Sequence, residues 1–143
     1  MVHEYRRRIF GYECDIYGHL NNANYLHLYE EARSVFLEDN EMSVRKLQEL
    51  GISIYITRVK IDFIKGISLE SECLIRSWIV SGNRLRGLWQ QEIEVNGEIC
   101  SRINVEGVYA KNGKPKRLPR EVYEKFSQLM MPEKVFERDK KQR

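Results

Sequence analysis

Long apolar runs are missing from this sequence of 143 residues. No stretch of about eighteen apolar residues occurs, which excludes an ordinary membrane-spanning helix. The opening segment, MVHEYRRRIF, has no apolar signal region, so we expect no secretory leader. An excess of charge is missing as well. The formal net charge is +3, which is too small to indicate nucleic-acid binding by itself.

Cysteine is scarce, with three residues at positions 14, 73 and 100. Their odd number and their spacing fit neither a CxxC metal knuckle nor a disulfide framework. The three histidines form no HExxH-type pair, and we expect no metal ion and no other cofactor. A GxSxG motif is also absent, which argues against an α/β-hydrolase. These absences together predict a reduced, soluble protein of the cytoplasm.

What is present predicts one domain over residues 1–143, since a hydrophobic content of 42% is sufficient for one core. We expect a charged, frayed C-terminal tail from about residue 132. Between residues 23 and 40, apolar side chains recur at steps of three and four, which predicts a deeply buried helix. Its predicted apolar face consists of Tyr25, Leu26, Leu28, Tyr29, Ala32, Val35, Phe36 and Leu37.

Alternating apolar and polar residues predict strands in the rest of the chain. Ser43 is placed to cap a second, short helix that Gly51 ends. The alternation then changes phase near Thr57 and Arg58, which predicts a β-bulge. Asn96-Gly97 is a strong hairpin signal. We therefore expect an α+β domain in which one antiparallel sheet covers one buried helix. The predicted strands are 3–10, 52–63, 69–80, 84–95 and 98–110, and the predicted last helix is 119–130.

The stretch ECDIYGHLNNANYLHLYEEAR, residues 13–33, carries the functional signal. Asp15 stands in a loop ahead of the predicted helix, and asparagines follow at positions 21, 22 and 24. Helix capping is one interpretation of these residues. An active site is the other, because a carboxylate activates water and the unpaired N–H groups of a helix start attract developing negative charge. The residue types alone leave both interpretations open.

The same stretch resembles the signature of the hotdog-fold acyl-CoA thioesterases. The similarity is dense from Asp15 to Tyr25 and in Tyr29-Glu30-Glu31-Ala32-Arg33, and it is looser over the remaining chain. It points to the 4-hydroxybenzoyl-CoA thioesterase-like family, in its long-chain acyl-CoA thioesterase branch. The resemblance implies an antiparallel sheet wrapped around a long central helix, and a homodimer or homotetramer with active sites at the subunit interface. The implied activity is hydrolysis of an acyl-CoA.

Residue by residue, the resemblance implies Asp15 as general base or nucleophile and the backbone N–H of Asn22 as oxyanion donor. Gly18 would let the backbone bend close to the thioester. His19 would order the loop or contact the substrate carbonyl. Glu30 matches an acid that the family carries on the helix, and we expect a supporting role for it.

The substrate-binding residues are less sharply indicated. Tyr17 and Tyr25 are candidates for contact with the acyl group, although an aromatic residue of this kind is often part of the core. Arg84 and Arg86 are the candidates for the phosphates of coenzyme A, against the alternative of a solvated basic face. Further candidates for the acyl pocket are Tyr29, Tyr55, Phe63, Trp78 and Trp89, and further basic candidates are Lys111, Lys114, Lys116 and Arg117.

Several alternatives stay open. Acyl carrier protein instead of coenzyme A is one, and a non-catalytic acyl-CoA-binding hotdog protein is another, because fold does not determine function. Arg33 with Glu30, or Glu31, can form a salt pair on the helix surface rather than a site. Cys14 has no base placed near it in the sequence, which argues against a cysteine nucleophile. The acyl chain length is not determined.

Overall fold

The computed structural model describes residues 1–136. A first strand is followed by a loop that contains a short 3-10 turn, Gly11–Glu13, and then by two helices. Four long antiparallel strands, one very short strand and a final helix complete the described chain. The elements are β1 (His3–Arg8), α1 (Asn24–Asp39), α2 (Val44–Glu49), β2 (Ser53–Phe63), β3 (Glu72–Gly82), β4 (Arg86–Val95), β5 (Glu98–Lys111), β6 (Lys114–Pro115) and α3 (Arg120–Leu129).

All strands belong to one antiparallel sheet in the order β1-β3-β4-β5-β2, and β6 pairs with β5. The turn between β4 and β5 is the predicted Asn96-Gly97 hairpin, in which both residues have positive φ. Residues 64–71 carry the chain from β2 at one edge to β3 near the other. The predicted α+β architecture, a sheet around one long helix, is therefore confirmed.

Helix α1 lies over the inner face of the sheet, where it packs on β1 and β3. Its buried side chains are Tyr25, Leu28, Tyr29, Ala32, Phe36 and Leu37. The prediction was wrong for Leu26, which is 42% exposed. Leu26 lies outside the set of α1 side chains that face the core.

The predicted bulge is confirmed, because the pairing of β2 with β5 changes register between Ile56 and Arg58. Two other register changes were not predicted, one between β3 and β4 at Val80 and one between β4 and β5 at Cys100. Both faces of β3 carry apolar side chains, so a change of phase there leaves no mark on the hydrophobic pattern. The bulge in β2 is visible in the sequence because one face of that strand is polar.

The predicted frayed tail is wrong for its first residues. Residues 131–136 pack on the outer face of the sheet, where the Met131 N–H donates to the Ile79 carbonyl at 2.7 Å. The Trp78 indole N–H donates to the Lys134 carbonyl at 2.6 Å, and Trp78 is 1% exposed. Phe136 packs edge-on against the same indole. The rest of the predicted tail, residues 137–143, lies outside the described residues.

Candidate active site

The loop between β1 and α1 is folded tightly back on itself. The Asp15 N–H donates to the His19 carbonyl at 2.8 Å, and the Gly18 N–H donates to the Asp15 carbonyl at 3.1 Å. Cys14 and Leu20 form an antiparallel bridge that closes the loop. At the bend, Gly18 has φ of +75°, a left-handed conformation that suits glycine. The loop therefore holds Asp15 in a defined place ahead of α1.

The Asp15 carboxylate is oriented by the backbone of its own loop. Its Oδ1 atom accepts hydrogen bonds from the N–H groups of Tyr17 at 2.9 Å and His19 at 3.3 Å. The other oxygen, Oδ2, has no hydrogen-bond donor among residues 1–136. One oxygen is thus held and the other is available, which is the arrangement that a base or a carboxylate nucleophile requires.

The start of α1 leaves one backbone donor unused. Asn21 caps the helix: its side-chain oxygen accepts from the Ala23 N–H at 3.0 Å, and its carbonyl accepts from the Asn24 N–H at 2.8 Å. The Asn22 carbonyl accepts from the Tyr25 N–H. Within residues 1–136, however, the Asn22 N–H itself has no acceptor. Asn21 therefore provides the cap, and the Asn22 N–H stays available to a negatively charged group.

A buried ionic network, which the sequence did not reveal, holds the loop against the domain. Glu13 is 3% exposed, and its Oε1 atom accepts from Arg7 Nη1 at 2.6 Å and from the Phe10 N–H at 3.0 Å. Arg7 Nε also donates to Glu31 on α1 at 3.0 Å. Burial by itself would raise the pKa of Glu13, but the hydrogen bonds from Arg7 and Phe10 and the charge of Arg7 outweigh it and lower that pKa.

The carbonyl of Glu13 extends this anchor to the helix start. It accepts from the Asn21 N–H and from the Asn24 side-chain amide, each at 2.9 Å. Sequence reasoning treated Asn24 as a cap residue and gave Glu13 no role. The sequence did contain a signal, because Glu13 is an acidic residue two positions before Asp15 in the segment that follows β1. The network connects β1, the loop and α1 through hydrogen bonds that are distant in sequence.

The other predicted residues of this stretch differ in their surroundings. His19 is exposed, and its ring lies beside Gly66, where an added Cβ would be 3.6 Å from the imidazole. Tyr17 is 78% exposed. Tyr25 is 2% exposed and packs edge-on against Phe63 with ring centroids 4.9 Å apart, and burial raises the pKa of Tyr25 to about 12. The structure thus places Tyr25 in the core beneath the loop.

The predicted salt pair on α1 is not formed. Glu31 pairs with Arg7 instead, because β1 lies beside that face of the helix. Arg33 Nη1 donates to the Gln91 side-chain oxygen at 2.9 Å, and no carboxylate of residues 1–136 lies within 4.0 Å of Arg33. Glu30 is exposed at the rim of a cavity between α1 and the sheet. Its supporting role stays a prediction.

The basic candidates lie at the far end of the sheet. Arg86 pairs with Val108 of β5, whereas the end of β5 nearest the loop is at Ser101, opposite Phe63. Arg84 is half-buried, and its Nε atom donates to the Leu118 carbonyl at 2.8 Å. Within one chain, neither arginine approaches Asp15. Binding of coenzyme A phosphates by these residues stays a prediction.

Cys14 is unsuited to the role of nucleophile. Burial and the carboxylates of Asp15 and Glu13 raise the pKa of its thiol, so less of the reactive thiolate is present at neutral pH. Its sulfur atom lies 3.7 Å from the Phe10 carbonyl. The reactive role that the sequence predicts for Asp15 rather than Cys14 stays a prediction.

A sequence profile decides the family. The profile described as the thioesterase-like superfamily matches residues 11–126, which include the loop, α1 and the whole sheet apart from β1. The chain belongs to this superfamily. The predicted resemblance is confirmed, and membership makes the chain a thioester hydrolase. The position of Asp15 and the free amide of Asn22 are consistent with that chemistry.

Relatives and solved structures agree with the assignment. The chain is 28% identical over 127 residues to the long-chain acyl-CoA thioesterase FadM of Escherichia coli, which covers 86% of this chain and 96% of FadM. The DHNA-CoA thioesterase of Staphylococcus aureus superposes with a TM-score of 0.84 at 23% identity, covering 89% of each chain. A 1,4-dihydroxy-2-naphthoyl-CoA thioesterase of Synechocystis superposes with a TM-score of 0.81 at 18% identity, covering 90% of this chain and 98% of its own. These superpositions establish the hotdog fold of this superfamily member.

Two further predictions concern features that are absent. Across residues 1–136, no helix is long and apolar enough to span a membrane. In the same part of the chain, no group of three or more His, Cys, Asp or Glu side chains is arranged to hold a metal ion. The cytoplasmic location and the lack of a cofactor stay predictions for this superfamily member.

Proposed function

We propose that the chain hydrolyses acyl-CoA thioesters to a free acid and coenzyme A. In this proposal Asp15 is the general base or the nucleophile, and the Asn22 N–H binds the oxyanion. The observation that carries it is an unpaired amide at the start of α1, in the same short loop as a carboxylate with one unpaired oxygen. The likeness to FadM, which is named as a long-chain acyl-CoA thioesterase, supports an acyl-CoA as the substrate.

The chemistry of a thioester matches these two groups. The leaving thiolate has a pKa of about 8.5, so its departure needs little help from an acid. The enzyme must instead activate water and stabilise the negative charge on the carbonyl oxygen. With Asp15 as base, water loses a proton to the carboxylate and attacks the acyl carbon. The C–S bond then breaks, and the thiolate of coenzyme A takes up a proton. With Asp15 as nucleophile, water attacks the acyl-enzyme anhydride instead.

The backbone donor is tested by a substitution that removes its N–H. Asn22→Pro is expected to lower kcat for acyl-CoA hydrolysis about 10²–10³-fold, since one oxyanion-hole donor contributes that much in other acyl-transfer enzymes. Release of free thiol from a series of acyl-CoAs measures the effect. Asn22→Ala is the matched control: it retains the backbone N–H, and its activity should stay close to that of the wild type.

This comparison of rates is valid only if the two Asn22 variants unfold at similar temperatures. Similar rates for folded Asn22→Pro and Asn22→Ala would show that the amide is not the oxyanion donor. Equal loss in both variants would assign the effect to the Asn22 side chain. In either case the proposed role of the backbone N–H would be rejected.

A homodimer through β2 is the second part of the proposal. β2 is an edge strand of eleven residues. It pairs with β5 on one side, and its other side has no partner strand within the described residues of one chain. Its exposed apolar side chains, Tyr55, Ile56, Val59 and Phe63, each leave 40% or more of their area open to solvent. Such an edge is a template for pairing with another strand. A two-fold axis would pair the two copies of β2 in antiparallel fashion.

This pairing would place an arginine of the partner subunit near the active site. Antiparallel pairing of two β2 strands would bring the far end of one sheet beside the catalytic loop of the other chain. Arg86 of the partner subunit would then approach Asp15, whereas the Arg86 of the same chain lies at the opposite end of the sheet. We therefore assign the predicted contact with coenzyme A phosphates to Arg86 rather than Arg84, whose Nε already donates to the Leu118 carbonyl.

Val59→Lys is expected to convert the dimer into monomers, because it places a charge on the exposed apolar edge that the second copy must bury. Sedimentation velocity measures the change in mass. Phe10→Lys is the control, since Phe10 is 51% exposed directly after β1, which is the opposite edge of the sheet from β2. A dimer that persists in Val59→Lys, or a wild-type monomer, would contradict pairing through β2.

A further inference from the structure

A cavity of about 110 Å³ lies between α1 and the inner face of the sheet. None of its lining residues belongs to the catalytic loop. Its walls are largely apolar, with Leu37 from α1, Ile54 and Ile56 from β2, Trp89 from β4 and Phe126 from α3. Such a lining is suited to the hydrocarbon part of a small ligand.

Two charged residues of α1 line this cavity, Glu30 at its exposed rim and the partly buried Arg33. Arg33 lines the cavity, and its only acceptor among residues 1–136 is the Gln91 side chain. A guanidinium has five N–H donors, so most of its hydrogen-bonding capacity is unused. Burial lowers the pKa of Arg33, and the charge of Glu30 opposes that effect only in part. A partly desolvated cation without a carboxylate partner is costly, and an anionic ligand would remove that cost.

We propose that this cavity binds the distal carboxylate of a dicarboxylic acyl group, with Arg33 as its ligand. The inference rests on the proposed hydrolysis of acyl-CoA, and it names the class of acyl group. Arg33 would hold the carboxylate through paired N–H donors, the arrangement in which arginine binds carboxylates most strongly. The methylene chain of the substrate would lie against the apolar walls.

The edge strand β2 extends from the cavity toward the start of α1. β2 runs beside α1: Phe63 at one end touches Tyr25 near the helix start, and Ile54 at the other end lines the cavity with Leu37. Between them lie side chains that are exposed and apolar, such as Val59. From the first turn of α1 to Arg33 the helix rises about 14 Å, a length that an extended chain of about ten carbons spans.

The wild-type protein provides the first test. Dicarboxylic monothioesters of coenzyme A from succinyl to dodecanedioyl are compared with straight-chain acyl-CoAs of equal length. We expect kcat/KM to favour the carboxylate-ended substrate by about tenfold or more near ten carbons, since charge-assisted pairs contribute on that scale. Equal or better hydrolysis of the methyl-ended substrate at every length would overturn the inference, while leaving the proposed hydrolase function intact.

Variants then identify the side chain responsible for the preference for carboxylate-ended substrates. Arg33→Met should abolish it and keep hydrolysis of decanoyl-CoA within about threefold, because Met retains the length and apolar character of the side chain. Arg45→Met removes an equal charge from the exposed surface of α2 and should keep the preference. Glu30→Gln should strengthen it, since a negative charge near Arg33 is removed. A preference that survives in Arg33→Met would show that another group binds the carboxylate.

Binding without turnover separates the two proposals. Sebacate and decanoate are titrated into Asp15→Asn protein, with the fluorescence of Trp89 as the signal, because Trp89 lines the cavity. A Trp78→Phe background removes the other tryptophan, which lies on the outer face. Sebacate should bind about tenfold more tightly than decanoate, and only while Arg33 is present. That result, combined with no hydrolysis of any acyl-CoA by the wild-type protein, would reject the proposed hydrolysis but support the Arg33 site. Equal binding would reject the site.

Discussion

Asp15→Asn is expected to lower kcat for acyl-CoA hydrolysis by about 10³-fold, within the range that positioned bases contribute. The amide oxygen of Asn can still accept the hydrogen bonds from the Tyr17 and His19 N–H groups, so the loop should keep its conformation. The amide has neither the basicity nor the nucleophilicity of the carboxylate. Thiol release with saturating acyl-CoA measures kcat, and the same assay without enzyme gives the background.

The neighbouring position supplies the control. Cys14→Ser changes the residue directly before Asp15 and should leave kcat within about threefold, because a thiol with a raised pKa has no part in the reaction. Both variants should unfold within a few degrees of the wild type. If folded Asp15→Asn hydrolysed acyl-CoA at the wild-type rate, the Asp15 mechanism would be wrong. A large loss of kcat in Cys14→Ser would indicate that the Cys14 thiol takes part in the reaction.

Arg7→Met is expected to lower the free energy of unfolding by about 3–5 kcal/mol, because removal of one member of a buried ion pair leaves the other charge uncompensated. Glu13 and Arg7 have side-chain exposures of 4% and 12%, and Glu31 shares the same guanidinium. Urea denaturation followed by far-UV circular dichroism measures the change. The loop that carries Asp15 should lose its anchor at the same time.

A surface pair gives the comparison for this prediction. Arg8 lies 3.4 Å from Glu70, with side-chain exposures of 49% and 67%, and Arg8→Met should change stability by less than about 1 kcal/mol. The double variant Arg7→Met with Glu13→Gln should recover part of the loss, because the buried charge is then removed as well. Equal effects of Arg7→Met and Arg8→Met would show that the buried network contributes no more than a surface pair.

Local periodicity determined most elements of the fold. Apolar side chains in residues 23–40 recur at the helical period, and α1 occupies Asn24–Asp39. Ser43 caps α2 as expected, since its hydroxyl accepts from the Lys46 N–H at 3.1 Å. These features depend on neighbours within a few residues, which is why sequence reasoning finds them. The packing of residues 131–136 was missed because it depends on Trp78 and Ile79, which are about fifty residues away in the chain.

The candidate site likewise combines local features with contacts between residues that are distant in sequence. The spacing of Asp15, Gly18 and Asn22 is local, so the sequence by itself determined that a carboxylate, a bend and a helix start lie in one loop. That motif and the matching pattern along the chain were also sufficient to indicate the superfamily. Nothing more than the loop and the first turn of α1 is needed to bring these groups together.

Only the tertiary structure decided which charged side chains are buried and what they face. Arg7 meets Glu13 and Glu31 because the sheet order places β1 beside α1, and Arg33 lines an apolar cavity instead of pairing on the helix surface. Arg86 lies far from Asp15 within one chain because it pairs with Val108, at the end of the sheet opposite the Ser101–Phe63 pair near the loop. The physical reason is that burial and charge pairing depend on contacts between strands and helices distant in sequence, which periodicity does not encode.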